Sequence, residues 1–349
     1  MTKKRILGIL LASALIILGA LSFLVPNNIT SHEEKMTVTD SASRAVEIPI
    51  STRPIVALDS VMDQEIDRLS PGRHKCIIKT NIVRYGDLLS DNEKARFTSL
   101  PICNQFDQPS STELIMNLNP AAIITVDRDP NMNNREAEFG GIPIVIIDKD
   151  SFSGIARSWA IMGQVAGNEE LGNKISNYLF SEMATFDSLS KTIEHKKKFW
   201  IAKDVSTAKT VGPESMMNDV IHFAGGVSYW DSHAFPEKLN PQSDAKLPIE
   251  ALIDYDPDII FCNHVSQVTE ILNDERLQNL TAVKNKQVFT EKKYRRLQGF
   301  SSFPSVVYMM ELAYPGLYPI SAKQYASKYY ELISGNKIQV DDPRWDVDN

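Results

Sequence analysis

The chain has 349 residues, 43% of them hydrophobic and 23% charged, with a formal net charge of −7. That length and composition suit two globular domains with substantial cores. The acidic balance excludes the basic surface on which nucleic-acid binding draws.

At the N-terminus Lys3, Lys4 and Arg5 precede residues 6–25, a stretch without charge, and then Pro26. A basic start before an apolar run marks export, and twenty helical residues would also cover the roughly 30 Å of a bilayer core. Residues 1–31 are therefore expected to be a signal peptide or an N-terminal membrane anchor. Cleavage after Ala20/Ser22 or near Ser31 and retention fit equally well. No cysteine stands near that boundary, so a lipid-anchored mature end is excluded. The basic residues inside put residues 32–349 outside the cytoplasm, in the periplasm or on the extracellular face of the membrane.

Residues 36–50 alternate as a hairpin with its turn around Asp40–Ser43. A short strand at 55–58 leads to Asp59 or Ser60 as helix cap, a helix over 61–69 and a stop at Ser70-Pro71-Gly72. A strand at 76–79, a polar loop at 80–90 and a helix near 91–97 follow. Residues 110–127 (SSTELIMNLNPAAIITVD) then read as helix, proline break and buried strand. A helix near 131–139 and a strand at 144–147 complete a first α/β lobe over 36–152. From 153 to 195 there is no strand signal; Leu171, Ile175, Tyr178, Leu179, Phe186, Leu189 and Ile193 recur at helical spacing, interrupted only at Gly167-Asn168. This reads as a rigid helical strut.

The second lobe, 196–340, begins with a strand at 199–202. A helix near 215–223 ends at Gly225-Gly226, and an aromatic loop runs to Ala245. Residues 247–263 (LPIEALIDYDPDIIFCN) then repeat the earlier pattern, with a glutamate seven residues before a proline in both copies (Glu113/Pro120 and Glu250/Pro257). A helix at 268–275, a strand at 287–289 and helices near 303–313 and 321–334 follow, and 341–349 is an acidic tail. Strands separated by such helices make mostly parallel sheets. The fold expected is α/β: two α/β lobes with mostly parallel sheets, bridged by one long rigid α-helix, with a ligand cleft between the lobes.

Cys76 and Cys103 fall in the first lobe and could pair in an oxidising compartment; two separate buried thiols explain them as well. Cys262 ends an apolar strand and reads as core. There is no G-x-S-x-G, no H-E-x-x-H and no phosphate-cradling glycine loop, so no catalytic residues and no cofactor are assigned. The six histidines do not cluster, which argues against a site for bare zinc or manganese.

In order and spacing these segments resemble the substrate-binding proteins of ABC importers for iron chelates, haem and vitamin B12. VTDSASRAVEIP is similar to that family's opening hairpin, and IVALDSVMDQEIDRLSPG to its first strand, helix and glycine turn. Both repeat copies match its E-x6-P-strand segments. DVIHFAGG resembles its helix with paired glycines, and VVYMMELAYPGLYP its late helix. The resemblance implies a monomer that captures a small-molecule metal chelate, an iron–siderophore complex first and haem or a corrinoid second. It implies delivery to a membrane permease driven by a cytoplasmic ATPase. It further implies that Glu113 and Glu250, one per lobe, pair with cations of that permease; read alone, each is equally a helix-start carboxylate, Glu113 within a Ser110-x-x-Glu113 capping box.

Ligands of α/β folds bind beyond strand C-terminal ends, which selects Arg84 and Tyr85 after the 76–79 strand and Arg128 after the first repeat. Some catecholate binders of the family carry an arginine where Arg128 stands, and two more where this chain has Met216 and Val265, a departure from that pattern. Met216 reads as packing at the cleft lip or as a soft contact to a metal complex. Tyr294 and Arg295, in the run Lys292-Lys293-Tyr294-Arg295-Arg296, suit an anionic ligand, with the phenolate in reach of iron. Trp230 and His233 could stack on or ligate a planar ligand, and His264 is comparable. An enzyme that reduces or strips a chelate, with Cys76 and Cys103 as its redox pair, is the alternative from another class; a bare-metal binder is a third.

Overall fold

The structure is a computed structural model, and it describes residues 33–58, 62–78, 90–104, 111–126, 136–204, 208–290, 302–337 and 339–340. The leader, residues 1–31, lies outside these. Among the described residues no helix is long and apolar enough to cross a membrane.

The hairpin forms as expected from β1 (Lys35–Thr39) and β2 (Ala45–Pro49), antiparallel, with Ser43 at φ +62° in its turn. Buried Asp40 organises that turn: its carboxylate accepts the amides of Ala42 and Arg44, both at 3.0 Å, and that of Ile146 at 3.2 Å. The hairpin is thereby tied to the first lobe's sheet.

That sheet pairs β3 (Ile55–Ala57), β6 (Ala122–Thr125) and β7 (Ile144–Ile146) in parallel, in the order β3-β6-β7. A parallel bridge from Ile55 to His74 brings a second pair alongside, β4 (Ile77–Ile78) with β5 (Ile102–Asn104). β5 is absent from the sequence reading, because three residues after a proline, the last an asparagine, carry no period. Helix α1 (Asp63–Leu69) starts two residues later than expected, and its N-cap is Met62, without a side-chain cap; Asp59 and Ser60 lie outside the described residues. Helix α2 (Asp91–Ser99) has a full capping box from Ser90 and Glu93.

The two repeat copies superpose in kind, residue by residue. Helix α3 (Thr112–Leu118) ends on Asn119 at φ +45°. In the second lobe helix α7 (Ile249–Tyr255) ends on Asp256 at the same φ. Asn and Asp tolerate this left-handed geometry better than other residues with a side chain. A buried proline follows each, and then β6 or β11 (Ile259–Cys262), every residue of both strands buried. Ser110, the expected partner of Glu113 in a capping box, lies outside the described residues; the cap of α3 is Ser111, whose hydroxyl accepts the amide of Leu114.

The strut is a pair, α4 (Phe152–Ala166) and the 22-residue α5 (Glu169–Ser190), about 33 Å long at 1.5 Å per residue. Gly167 at φ +71° stops α4, and the Asn168 amide returns to the Gly163 carbonyl at 2.8 Å. The helices then pack against each other so closely that a Cβ on Gly163 would sit 2.9 Å from the Gly172 Cα. Only glycine fits there.

The second lobe pairs β8 (Phe199–Ala202), β11 and β12 (Val288–Thr290) in parallel, order β12-β11-β8. A two-residue ribbon of β9 (Lys209–Thr210) and β10 (Ala245–Lys246) flanks it, too short to read from sequence. Its helices are α6 (Met216–Phe223), α7, α8 (Val265–Asn273), α9 (Thr281–Lys284), α10 (Ser302–Ala313) and α11 (Ala322–Ser334). Helix α11 reaches back to α1 of the first lobe, where Arg68 donates to the Leu332 carbonyl at 3.4 Å.

Alternation along the strands sorts the core into three. Ile55, Ala57, Ala122, Ile124, Phe199, Ile201, Ile259 and Phe261 turn inward and share one continuous core with α4, α5, α6, α10 and α11. Val56, Ile123, Ile144 and Ile146 face an outer core of the first lobe. Trp200, Ala202, Ile260 and Cys262 face that of the second. Burial of both faces is why these strands read as unbroken apolar runs.

Candidate functional site

In α/β folds ligands bind beyond the C-terminal strand ends. The first lobe offers Leu58, Val126 and Asp148 there; the second offers Lys203, Asn263, His264 and Thr290. The rim of the second lobe is set by one residue that sequence reasoning missed. Gln267 accepts the amides of Asn263 and His264 at 2.9 and 3.0 Å and donates to the Lys203 carbonyl at 3.1 Å. It thus ties the end of β11 to the end of β8. Its signal in the sequence is a Gln at the third position of a helix that starts directly after a strand.

Arg84, Tyr85, Arg128, Tyr294 and Arg295 lie outside the described residues. Met216 opens α6 but is buried, with its sulfur accepting the Ser302 hydroxyl at 2.8 Å, which joins the starts of α6 and α10. Val265 is exposed at the start of α8, beside His264.

Trp230 and His233 do come together, both packed on Tyr229. His233 stacks on Tyr229 at 3.9 Å and gives its Nδ1 to Ser232 and to the Tyr229 carbonyl. Tyr229 packs edge-on to Trp200 and Tyr255, and Tyr255 donates to the Val227 carbonyl at 2.9 Å. Val227 pairs with Lys198 at the very start of β8, so the cluster belongs to that edge of the sheet. The Trp230 indole N–H is taken up by the Val211 carbonyl at 2.5 Å. On the same edge a cavity of about 470 Å³ is lined by Asp187, Asp219, His222 and Asp231, among others. Burial raises the Asp219 carboxyl above its ordinary range, with His222 pulling the other way.

Cys76 and Cys103 are thiols, not a disulfide, in this structure, and both are fully buried in the outer core of the first lobe. Ile77 pairs with Ile102, so Cys76, one residue before, and Cys103, one after, lie on the same face of adjacent strands. The Cys76 thiol is driven far above its usual pKa, first by its hydrogen bond to Cys103, then by burial and the nearby charges of Cys103 and Asp63. Asp63 in turn meets His74 at 2.9 Å, both side chains almost fully buried. Nothing in the sequence distinguishes that pair from two surface residues.

Glu113 and Glu250 occupy the second position of α3 and α7, and both are exposed. Among the described residues neither carboxylate takes a hydrogen bond or an ion pair, although Arg276 lies within electrostatic reach of Glu250.

Two parallel-sheet lobes that each contain one copy of a helix–proline–strand unit, joined through a helical pair, define a two-lobed α/β binding-protein architecture. Similar solved structures share it. One is an ABC transporter solute-binding protein from Sulfurospirillum deleyianum (TM-score 0.73, 18% identity, 88% of this chain and 98% of that one). A second is the molybdate-binding MolA of Haemophilus influenzae (0.68, 15%, 87% and 99%). A third is the haem-binding RhuT of Roseiflexus (0.56, 16%, 81% and 100%). No curated protein matches the chain. The chain belongs to the periplasmic binding protein family, whose pattern spans residues 57–294. Membership implies an extracytoplasmic location, a small-molecule ligand and an importer as partner.

Proposed function

We propose that the protein captures an iron chelate of the siderophore type beyond its strand C-terminal ends and hands it to the permease of an ABC importer. Family membership carries the binding and delivery role. The chelate is supported by the chain itself: in a protein of net charge −7, Arg84, Arg128, Lys292, Lys293, Arg295 and Arg296 all fall in segments that directly follow strands β4, β6 and β12. Cations concentrated beyond strand ends favour an anionic ligand, and ferric catecholates and hydroxamates bring both charge and size suited to such a cleft. Tyr85 and Tyr294, in the same segments, supply phenol groups. Glu113 and Glu250 serve as the docking pair, giving orientation and association rate more than affinity.

Haem or a corrinoid is the second reading. It draws on the haem-binding relative and on Met216, Trp230 and His233, of which Met216 is buried and Trp230 has its indole N–H bonded to the Val211 carbonyl. Titrating the purified protein with ferric siderophores, haem and cobalamin, read by visible spectra and tryptophan fluorescence, separates the two. A response to ferric siderophores is expected, abolished in Arg128→Glu/Arg295→Glu. A response to haem alone would replace the first reading by the second, and silence to every chelate would overturn both. Glu113→Lys/Glu250→Lys should keep full chelate binding and lose uptake into cells.

A further inference from the structure

The repeated helices share more than a glutamate. Over their first six positions α3 and α7 have the same exposure: Glu113 and Glu250 outward, Ile115 and Leu252 buried, Met116 and Ile253 outward again, then Asn117 and Asp254 outward. Met116 is 46% exposed and Ile253 38%, which puts both among the few large apolar side chains left open to solvent in the described residues. A single exposed apolar residue is ordinary. Its recurrence at the corresponding position of both copies is not, since an outward position on a surface helix otherwise takes a polar side chain.

Residues three apart on a helix stand on one face, so each lobe presents a carboxylate and, one turn on, an apolar side chain. Met116 is held in place, with its terminal methyl over Gly140. Both helices run away from the strand C-terminal ends: the Ser111 amide bonds the Cys103 carbonyl at the end of β5, and Tyr255 at the far end of α7 bonds Val227 beside the start of β8. The two glutamates therefore stand on the cleft side of their lobes.

We infer that Met116 and Ile253 add an apolar contact to each arm of the glutamate pair proposed above, so that each lobe meets the importer's membrane permease through a cation beside an apolar recess. This rests on the proposed delivery to a permease. The carboxylates, without an ion-pair partner among the described residues, call for cations; the apolar neighbours call for burial; and the duplication calls for a partner surface that offers the same contact twice. Charge steers the encounter, and the apolar pair slows dissociation, which is where most affinity differences reside.

The test measures binding of the ligand-loaded protein to the detergent-purified permease–ATPase complex of its importer, reconstituted in lipid nanodiscs, at low and high salt. Met116→Ser and Ile253→Ser are each expected to weaken binding by roughly tenfold through faster dissociation, from the apolar area no longer buried, with the salt dependence unchanged. Glu113→Gln/Glu250→Gln should slow association and flatten the salt dependence. Circular dichroism melts and chelate binding check that the variants are folded, and Met116→Gln/Ile253→Thr provides a second pair of the same sense. Wild-type affinity in both apolar pairs, with the glutamate pair impaired, would overturn the apolar contacts and leave the delivery role standing. No binding of the wild-type protein to the complex would remove the delivery role, and these contacts with it.

Discussion

Oxidation of Cys76 and Cys103 should stabilise the first lobe, and the structure sets the scale. The two thiols touch across adjacent parallel strands in a fully buried core, and the family's location is one in which thiols meet oxidants. Exchange with an external disulfide joins the two sulfurs and passes their two protons and two electrons to the donor, which leaves as two thiols. The bond closes a loop of roughly 28 residues that includes all of α2. Chain entropy assigns such a loop about 3–4 kcal/mol at 25 °C, relative to the reduced chain. The assay is urea unfolding of the exported protein with and without reductant, next to Cys103→Ser. Reductant should lower the wild-type midpoint and leave that of Cys103→Ser where it is. Comparing each protein with itself removes the separate cost of a hydroxyl in that core. Thiol titration of the denatured, unreduced protein should find Cys262 alone. Three reactive thiols, or a midpoint indifferent to reductant, would refute the reasoning.

Two further outcomes follow from single contacts. Gly163→Ala sets a Cβ 2.9 Å from the Gly172 backbone and should cost about 1–3 kcal/mol in urea unfolding; a loss within error would mean that α4 and α5 separate freely. Asp256 accepts the Thr281 amide at 2.6 Å and hydroxyl at 2.8 Å. Burial there works against the charge, but these bonds, with Lys198 and Lys284, outweigh it and hold the pKa below the ordinary 3.8. Since the folded-state value is the lower one, the carboxylate's contribution is complete above pH 3.8 and is lost as pH falls through the folded value. Asp256→Asn keeps the left-handed turn and loses the charge. Its melting temperature should therefore lie below wild type near pH 6 and converge on it in acid; parallel curves would show that the charge is idle.

The repeat was legible because it is made of signals that survive without tertiary context. A proline ends each helix, Asn119 and Asp256 accept the left-handed turn before it, and an apolar run too short for a helix follows. The strut was legible for a similar reason, down to its break at Gly167. What failed were elements without a period of their own. β5 has three residues, and β9 and β10 have two each, and they exist because a neighbouring strand already offers its edge. The direction in which α11 packs was also hidden. Its amphipathic face announces burial, yet nothing in it says that α1, more than two hundred and fifty residues earlier, is among the surfaces that cover it.

The site divides along the same line. The matching exposed positions of Glu113 and Glu250 were legible because duplication marks them, whereas Gln267, His74 and Ser302 acquire meaning only from the groups they reach. The aromatic character of the loop after Gly226 was visible; the edge of the sheet it occupies was not, because that follows from the pairing of Val227 with Lys198. The shared inner core then bears on selectivity. Phe152, the first residue of α4 as it leaves the first lobe, lies 4.8 Å from both Phe223 and Phe303 of the second. Phe186 of α5 touches the same two rings. Opening the lobes would part these contacts, each worth about 0.5–1.5 kcal/mol beyond its buried area, and would open a close-packed interior along with them. A cleft held in this way is largely pre-formed, and under the function proposed above the choice among ligands falls to the segments that follow the strands in sequence, which carry Arg84, Arg128 and Tyr294.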